Sequence, residues 1–210
     1  MSQLPCPEWK NEEEPLDKLG SIVTGAAAIY EFILRQNQKK YLLNHGHLKT
    51  WHDQLFRGVV PLRYYAGNYR SADKRHPCLN VDIAVAGIPG SPFQEVPSRM
   101  AQFSETLETA TIETDKFVQA QESPELRLKA AAQLATIAAG NIIRIHPFLN
   151  GNGRIARLTA NFFFHRYGFR MPFYVSRPSV WTEYGTACKA AMEHGDFGPL
   201  FKYFIALLAV

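Results

Sequence analysis

The chain has 210 residues and a mass of 23.8 kDa; 46% of the residues are hydrophobic, 20% charged and 12% aromatic. These values exclude a disordered chain or a fibre, and the length suits one domain that buries roughly 70% of its unfolded surface. Net charge is +4 with a pI near 9.0, but residues 8 to 17 hold five acids, whereas Leu126 to Thr182 hold eight basic groups and no acid, a distribution that focuses anions on one region.

In chain order, the first 15 residues show no basic stretch followed by an apolar one, so no signal peptide is expected. Ile22, Ala26, Ile29, Tyr30 and Ile33 recur at helical spacing and predict a helix over about 20–40. Leu48, Trp51, Leu55 and Phe56 predict a second, shorter one. Leu79, Val81, Ile83 and Val85 alternate with period two, the pattern of a half-buried strand. A turn over 87–92 and a short return strand near Phe93 complete a hairpin. Val96, Met100, Phe103 and Leu107 restore the helical period.

Ser123-Pro124-Glu125 reads as an N-cap, a proline at the first helical position and an acid in the first turn. The helix it opens runs to about Ile143. A glycine-containing break follows, then a helix that stops at Gly168, and two last helices over about 178–194 and 197–208. No repeat or linker divides the chain. No segment approaches the roughly 20 apolar residues that span a bilayer. The cysteines Cys6, Cys78 and Cys188 are far apart and form no CxxC pair. This spacing predicts neither a disulfide framework nor a cysteine zinc site, and a reducing, cytoplasmic home. Export as an effector by a route without a signal peptide stays open.

The break carries the chemistry. In residues 145–158, IHPFLNGNGRIARL, Gly151 and Gly153 let backbone amides approach a ligand and open a helix whose positive end attracts phosphate. Arg154 and Arg157 share a face of that helix and offer planar donor forks to phosphate oxygens. His146, with an ordinary pKa near 6.5, is suited to taking a proton at neutral pH. Base, anion cradle and paired arginines describe a site for phosphate transfer. A Rossmann fingerprint, Gly151-x-Gly153-x-x-Ala156, lacks the preceding strand and the ribose-binding acid. A Walker A pattern is absent. Nucleic-acid binding by the basic stretch alone remains a weaker reading.

Residues 146–157, HPFLNGNGRIAR, resemble the Fic family signature HPFx[D/E]GNGRxxR and depart from it at Asn150. The stretch Ala66 to Arg70 resembles the family's G-x-Y-R segment before a β-hairpin flap, Phe93 to Met100 resembles the flap's exit, and Asp196 to Leu200 resembles the family's closing segment. The resemblance implies a mostly α fold, a helical bundle with a hairpin flap over the active-site loop. It implies an acidic lead and helix over 1–44, a Fic domain over 45–206 and the end of the last helix at 207–210.

It further implies transfer of AMP from Mg-ATP to a Ser, Thr or Tyr hydroxyl of a target protein. By that likeness His146 is the general base. Gly151, Asn152 and Gly153 form the anion hole, with the Asn152 side chain, while Arg154 and Arg157 hold the β- and γ-phosphates. The flap residues Leu79, Val81 and Ile83 dock a strand of the target, and Tyr184 lines the base pocket. The family's acid at the position of Asn150 ligates Mg²⁺; Asn offers a carbonyl oxygen without charge.

Gly153 favours AMP transfer over the kinase chemistry of members with Lys there, although UTP, GTP or CDP-choline remain alternative donors. A catalytically weakened, nucleotide-binding regulatory module is the other alternative. The nearest match to the family's inhibitory pattern [S/T]xxxE[G/N] is Ser104 to Glu108, followed by Thr109, which reads as an ordinary helix surface. Control is therefore expected from a separate antitoxin-like protein toward Arg157, or to be absent. His45, His47 and His52 cluster without a fourth zinc ligand in view. His165 is expected to pack, and Phe162, Phe163 and Phe164 to form core.

Overall fold

The computed structural model describes residues 5–9, 16–36, 41–172 and 181–208. These form α1 (Leu16–Gln36), α2 (His45–Phe56), a hairpin of β1 (Ala84–Val85) and β2 (Ile88–Pro89), then α3 (Val96–Ala120), α4 (Pro124–Ile145), α5 (Asn152–Arg166), α6 (Trp181–His194) and α7 (Gly198–Leu208). The mostly helical expectation holds. Residues 37–40, 173–180 and 209–210, where parts of three expected elements fall, lie outside the described residues.

The centre of the bundle is α4, packed against α3, α5, α6 and α7. Its buried face is rich in small residues, among them Ala131, Ala132, Ala135, Ala138, Ala139 and Gly140, which lets neighbouring helices approach closely. A Cβ on Gly140 would meet the Phe197 ring at 2.7 Å. The helix starts as expected, with the Ser123 hydroxyl accepting the Leu126 amide at 3.3 Å and Pro124 in the first turn. On the other side, Ile22, Ala26, Ile29 and Ile33 turn one apolar stripe of α1 into the core, where α1 packs on α2 and α5. Phe162, Phe163 and Phe164 are fully buried.

Two expectations are corrected. The strand over Leu79 to Val85 shrinks to Ala84–Val85, paired antiparallel with Ile88–Pro89 around a two-residue turn. Ala86 (φ 50°) and Gly87 (φ 82°) both take positive φ, as a tight hairpin turn requires. Leu79 belongs instead to a 3-10 turn opened by Pro77 and is fully buried, so it presents no side chain to a target. Val81 and Ile83 precede β1 in irregular backbone, and Val81 is exposed.

The second correction concerns the cysteines. Cys6 and Cys78, 72 residues apart in sequence, are bonded, with Cα atoms 5.5 Å apart. Cys188 is the free thiol. A bridge between such distant positions carries no spacing signal, and it removes the cysteine argument for a reducing compartment. It ties residues 5–9 to the body, where the Tyr65 hydroxyl donates to the Pro7 carbonyl at 2.9 Å and Trp9 packs edge-on against Phe56. Among the described residues no helix is long and apolar enough to cross a membrane.

Candidate active site

The loop between α4 and α5 is shaped by three contacts. His146 ends α4 in the left-handed region, φ 54° and ψ 59°, which turns the chain sharply out of the helix. The buried Asn152 side chain then closes the loop: its Oδ1 accepts the Phe148 amide at 2.9 Å and its Nδ2 donates to the Phe148 carbonyl at 2.8 Å. Gly151 caps α5 with φ 80°, and a Cβ there would meet the Phe56 ring at 2.4 Å. Only glycine combines that conformation with that approach. The Asn152 side chain, expected in the anion hole, thus also braces the loop through both of its polar atoms. The amides of Asn152 and Gly153 belong to the helix end that lacks preceding carbonyl partners, an arrangement suited to an anion.

The loop faces a cavity of about 170 Å³. His146, Asn150, Gly151, Asn152, Gly153, Arg154 and Arg157 line one side of it. Val85 of the hairpin, Ile143 of α4, and Tyr184, Cys188 and Met192 of α6 line the other. The last three fall at steps of four residues and form a single stripe along α6. Tyr184, expected in a base pocket, thus reaches this cavity; its ring is 1% exposed, and the Arg157 guanidinium lies 5.7 Å from its centre. Arg154 lies 5.6 Å from the centre of the Phe56 ring. Burial raises the Cys188 thiol to about 11, so the thiol is protonated at neutral pH.

His146 has a defined proton inventory. Its Nδ1 lies 3.2 Å from the Ile143 carbonyl, an acceptor only, so Nδ1 carries the hydrogen and Nε2 keeps its lone pair. Burial lowers its pKa to about 4, against the opposing Ile143 bond and with help from the Arg70 charge. The ring is neutral at pH 7. Its Nε2 lone pair is available to a proton donor, though as a weaker base than an ordinary histidine.

Asn150 points less toward a metal than expected. Its Oδ1 accepts the adjacent Gly151 amide at 2.6 Å, and its Nδ2 faces the Trp9 carbonyl at 3.5 Å. Among the described residues no three His, Cys, Asp or Glu side chains converge as a metal cage. One neutral, already engaged oxygen does not fit a protein-held Mg²⁺. A metal in this cavity would have to enter on the phosphates that coordinate it.

The three clustered histidines divide. His47 closes a capping box at the start of α2 with Asn44. The His45 amide donates to the Ser104 hydroxyl at 3.1 Å. His52 is fully buried under the loop: its Nδ1 accepts the Gly67 amide at 2.9 Å, so its Nε2 carries the hydrogen and donates to the Asn150 carbonyl at 3.0 Å. Its ring stacks on Phe148 with centres 3.8 Å apart. Sequence reasoning weighed His52 only as a zinc ligand and missed this clamp; its one signal was a polar residue on the apolar face of α2. Glu108, in the weak inhibitory match, is exposed on α3. His165 Nε2 lies 2.7 Å from the Tyr30 hydroxyl and joins α5 to α1.

The sequence model of the Fic/DOC family matches residues 42–164. No curated protein matches the chain in sequence. Among solved structures, a Fic domain containing signaling protein from Bacteroides thetaiotaomicron is similar at TM-score 0.64 and 21% identity, over 95% of this chain and 72% of that one. Fic-1 (residues 134–508) from C. elegans is similar at TM-score 0.66 and 20% identity, over 95% of this chain and 51% of that one. BepC from Bartonella tribocorum, a VirB-translocated effector solved with bound AMPPNP, is similar at TM-score 0.50 and 18% identity, over 86% of each.

Proposed function

Since the chain belongs to the Fic/DOC family, whose members are generally nucleotidyl or phosphate transferases, we propose that it transfers AMP from ATP to a Ser, Thr or Tyr hydroxyl of a target protein. The observation that carries this reading is the meeting of His146, the first turn of α5 and both arginines around one cavity. In the step proposed, the acceptor oxygen attacks the α-phosphorus, its proton passes to His146 Nε2, and the bond to the β-phosphate oxygen breaks. The amides of Asn152 and Gly153, with Arg154 and Arg157, stabilise the charge that grows on the departing pyrophosphate. The stripe of Tyr184, Cys188 and Met192 receives the base. Gly153 leaves the first turn open to the phosphates, and AMPPNP bound to the BepC neighbour supports an adenine nucleotide as donor.

The flap supports the protein-acceptor part of the reading. Val81 and Ile83 lie on the approach to the hairpin, Val85 reaches the cavity, and the short strands leave an edge that a target strand can extend. A separate antitoxin-like protein acting at Arg157 remains the proposed mode of control. A second reading has its own observation: the engaged, uncharged Asn150 oxygen favours a nucleotide-binding module that turns over slowly.

ATP labelled at the α- or the γ-phosphate, offered with lysate proteins as acceptors, separates the readings. Label from the α position that disappears in His146→Ala supports AMP transfer. Label from the γ position alone would mean a kinase, and bound nucleotide without transfer would favour the regulatory module or another donor.

A further inference from the structure

We propose that Arg70 is a positioning residue that fixes the flap and the His146 backbone in one relation to each other. Arg70 is fully buried. Its Nε and Nη2 donate to the His146 carbonyl at 3.0 and 2.8 Å, and Nη2 lies 3.3 Å from the Ile145 carbonyl. The same guanidinium reaches both limbs of the flap, donating to the Val81 carbonyl at 3.1 Å and the Ser91 carbonyl at 2.8 Å. The backbone repeats the connection: the Arg70 amide donates to the Pro147 carbonyl at 2.8 Å and the Ser91 amide to the Ile145 carbonyl at 3.2 Å.

A buried cation is costly unless its donors are satisfied. Here the compensation comes from carbonyls. Those of Ile145 and His146 end α4, where helical C=O groups lack partners and a positive charge is favoured. The nearest carboxylate, Asp82, stands 4.0 Å away on the exposed side, where its Oδ1 accepts the Phe93 amide and closes the base of the flap. An apolar side chain would fill this space without those penalties, but it would not set four backbone groups at fixed distances. Gly90 shows how tight the junction is: a Cβ there would meet the His146 Cβ at 3.0 Å and Arg70 Nη2 at 3.4 Å.

The consequence rests on the proposed AMP transfer. His146 must aim Nε2 at a hydroxyl that the flap presents, and the left-handed backbone that aims it is the one Arg70 holds. The nucleotide is gripped at the other end of the loop, by the first turn of α5, Arg154 and Arg157. Loss of Arg70 should therefore separate acceptor chemistry from nucleotide binding.

The test uses the full chain with Arg70→Lys, which keeps the charge without the fork, and Gly90→Ala, which crowds the same junction while leaving Arg70 in place. Three quantities are read: ATP affinity by calorimetry, amide exchange at Gly90 and Ser91, and AMP-transfer kinetics. We expect affinity within about twofold of the parent, exchange faster by about tenfold, and kcat lower by about 100-fold in Arg70→Lys. Gly90→Ala should show the same pattern, and it carries the test if Arg70→Lys does not fold. Unchanged exchange and kcat, or affinity falling in parallel with kcat, would overturn the assignment. If the parent transfers no AMP, the functional reading fails, while the affinity and exchange measurements still decide whether Arg70 couples flap to loop.

Discussion

The Nε2 of His52 donates to the carbonyl oxygen of Asn150 across 3.0 Å, and this bond joins α2 to the loop that carries the candidate chemistry. The other ring nitrogen takes the Gly67 amide, so one neutral, buried ring satisfies two backbone groups from separate segments. His52→Ala would leave both groups without their partner and a cavity beside Phe148. We expect a loss of about 3 kcal/mol, which for a chain of this size lowers Tm by about 6–12 °C. His52→Gln keeps a donor within reach of Asn150 and should lose less. Thermal unfolding of the two variants checks this order; equal losses would mean that ring volume alone matters.

The two buried histidines, His52 and His146, give stability a pH dependence of fixed sign. Burial lowers His146 to about 4 and His52 to about 3, against an ordinary value of 6.5. Between those values and 6.5 the unfolded chain binds protons that the folded chain does not, so stability rises with pH across that window. The contribution is fully present above about 6.5 and is lost as the pH falls toward 4 and then 3. Urea unfolding at pH 7, 5.5 and 4.5 should show a falling midpoint, and His52→Gln should flatten part of the slope. A midpoint independent of pH over this range would contradict both burial assignments.

How much was legible in the sequence follows from how local each feature is. The cap at Ser123, the helix stop at Gly168 and the loop glycines depend on near neighbours, and a signature of twelve residues from His146 to Arg157 concentrates the site in one segment. The side chains that brace that segment do not. His52 comes from α2 and Arg70 from the approach to the flap; Arg70 closes a family-like G-x-Y-R segment, but neither residue carries a sequence signal that names the backbone groups it binds. The alternation from Leu79 to Val85 resembles a longer strand because period two is also what Pro77, a 3-10 turn and the four irregular residues 80–83 produce here. With no further strand to join among the described residues, only the residues next to the turn at Ala86 and Gly87 pair. The family likeness places the Asn152 side chain in the anion hole, but its reciprocal bonds to Phe148 exist only once the loop is folded and carry no sequence signal.

The disulfide makes a separate, sizeable prediction. Closing a loop between positions 72 residues apart restricts the unfolded chain by about 4 kcal/mol in the entropic account. Reduction, or Cys6→Ser, should therefore lower the unfolding midpoint and release residues 5–9. Trp9, packed against Phe56, His52 and Tyr65, reports the release directly. We expect its fluorescence to shift toward that of exposed tryptophan at denaturant concentrations where the helices remain folded. A reduced protein with the parent's midpoint and Trp9 emission would show that the bond does not hold this segment in place.

Asn150 offers the sharpest test of how the site handles a metal. Its oxygen is neutral and accepts the Gly151 amide, so Mg²⁺ gains little from it. In Asn150→Asp, one carboxylate oxygen can keep that amide while the second brings a charge to the cavity. The lost donor to the Trp9 carbonyl, already long at 3.5 Å, is a small sacrifice. We expect AMP transfer by Asn150→Asp to reach half its maximum at about tenfold lower Mg²⁺, since a carboxylate adds an ionic ligand where the parent has a dipole. The gain should be largest at limiting metal and shrink at saturation, where the phosphates of the nucleotide would suffice to hold the ion. Parallel Mg²⁺ titrations of parent and variant at fixed ATP decide it. Superimposable curves would mean that the metal never approaches residue 150, and that the departure from the family signature has no bearing on catalysis.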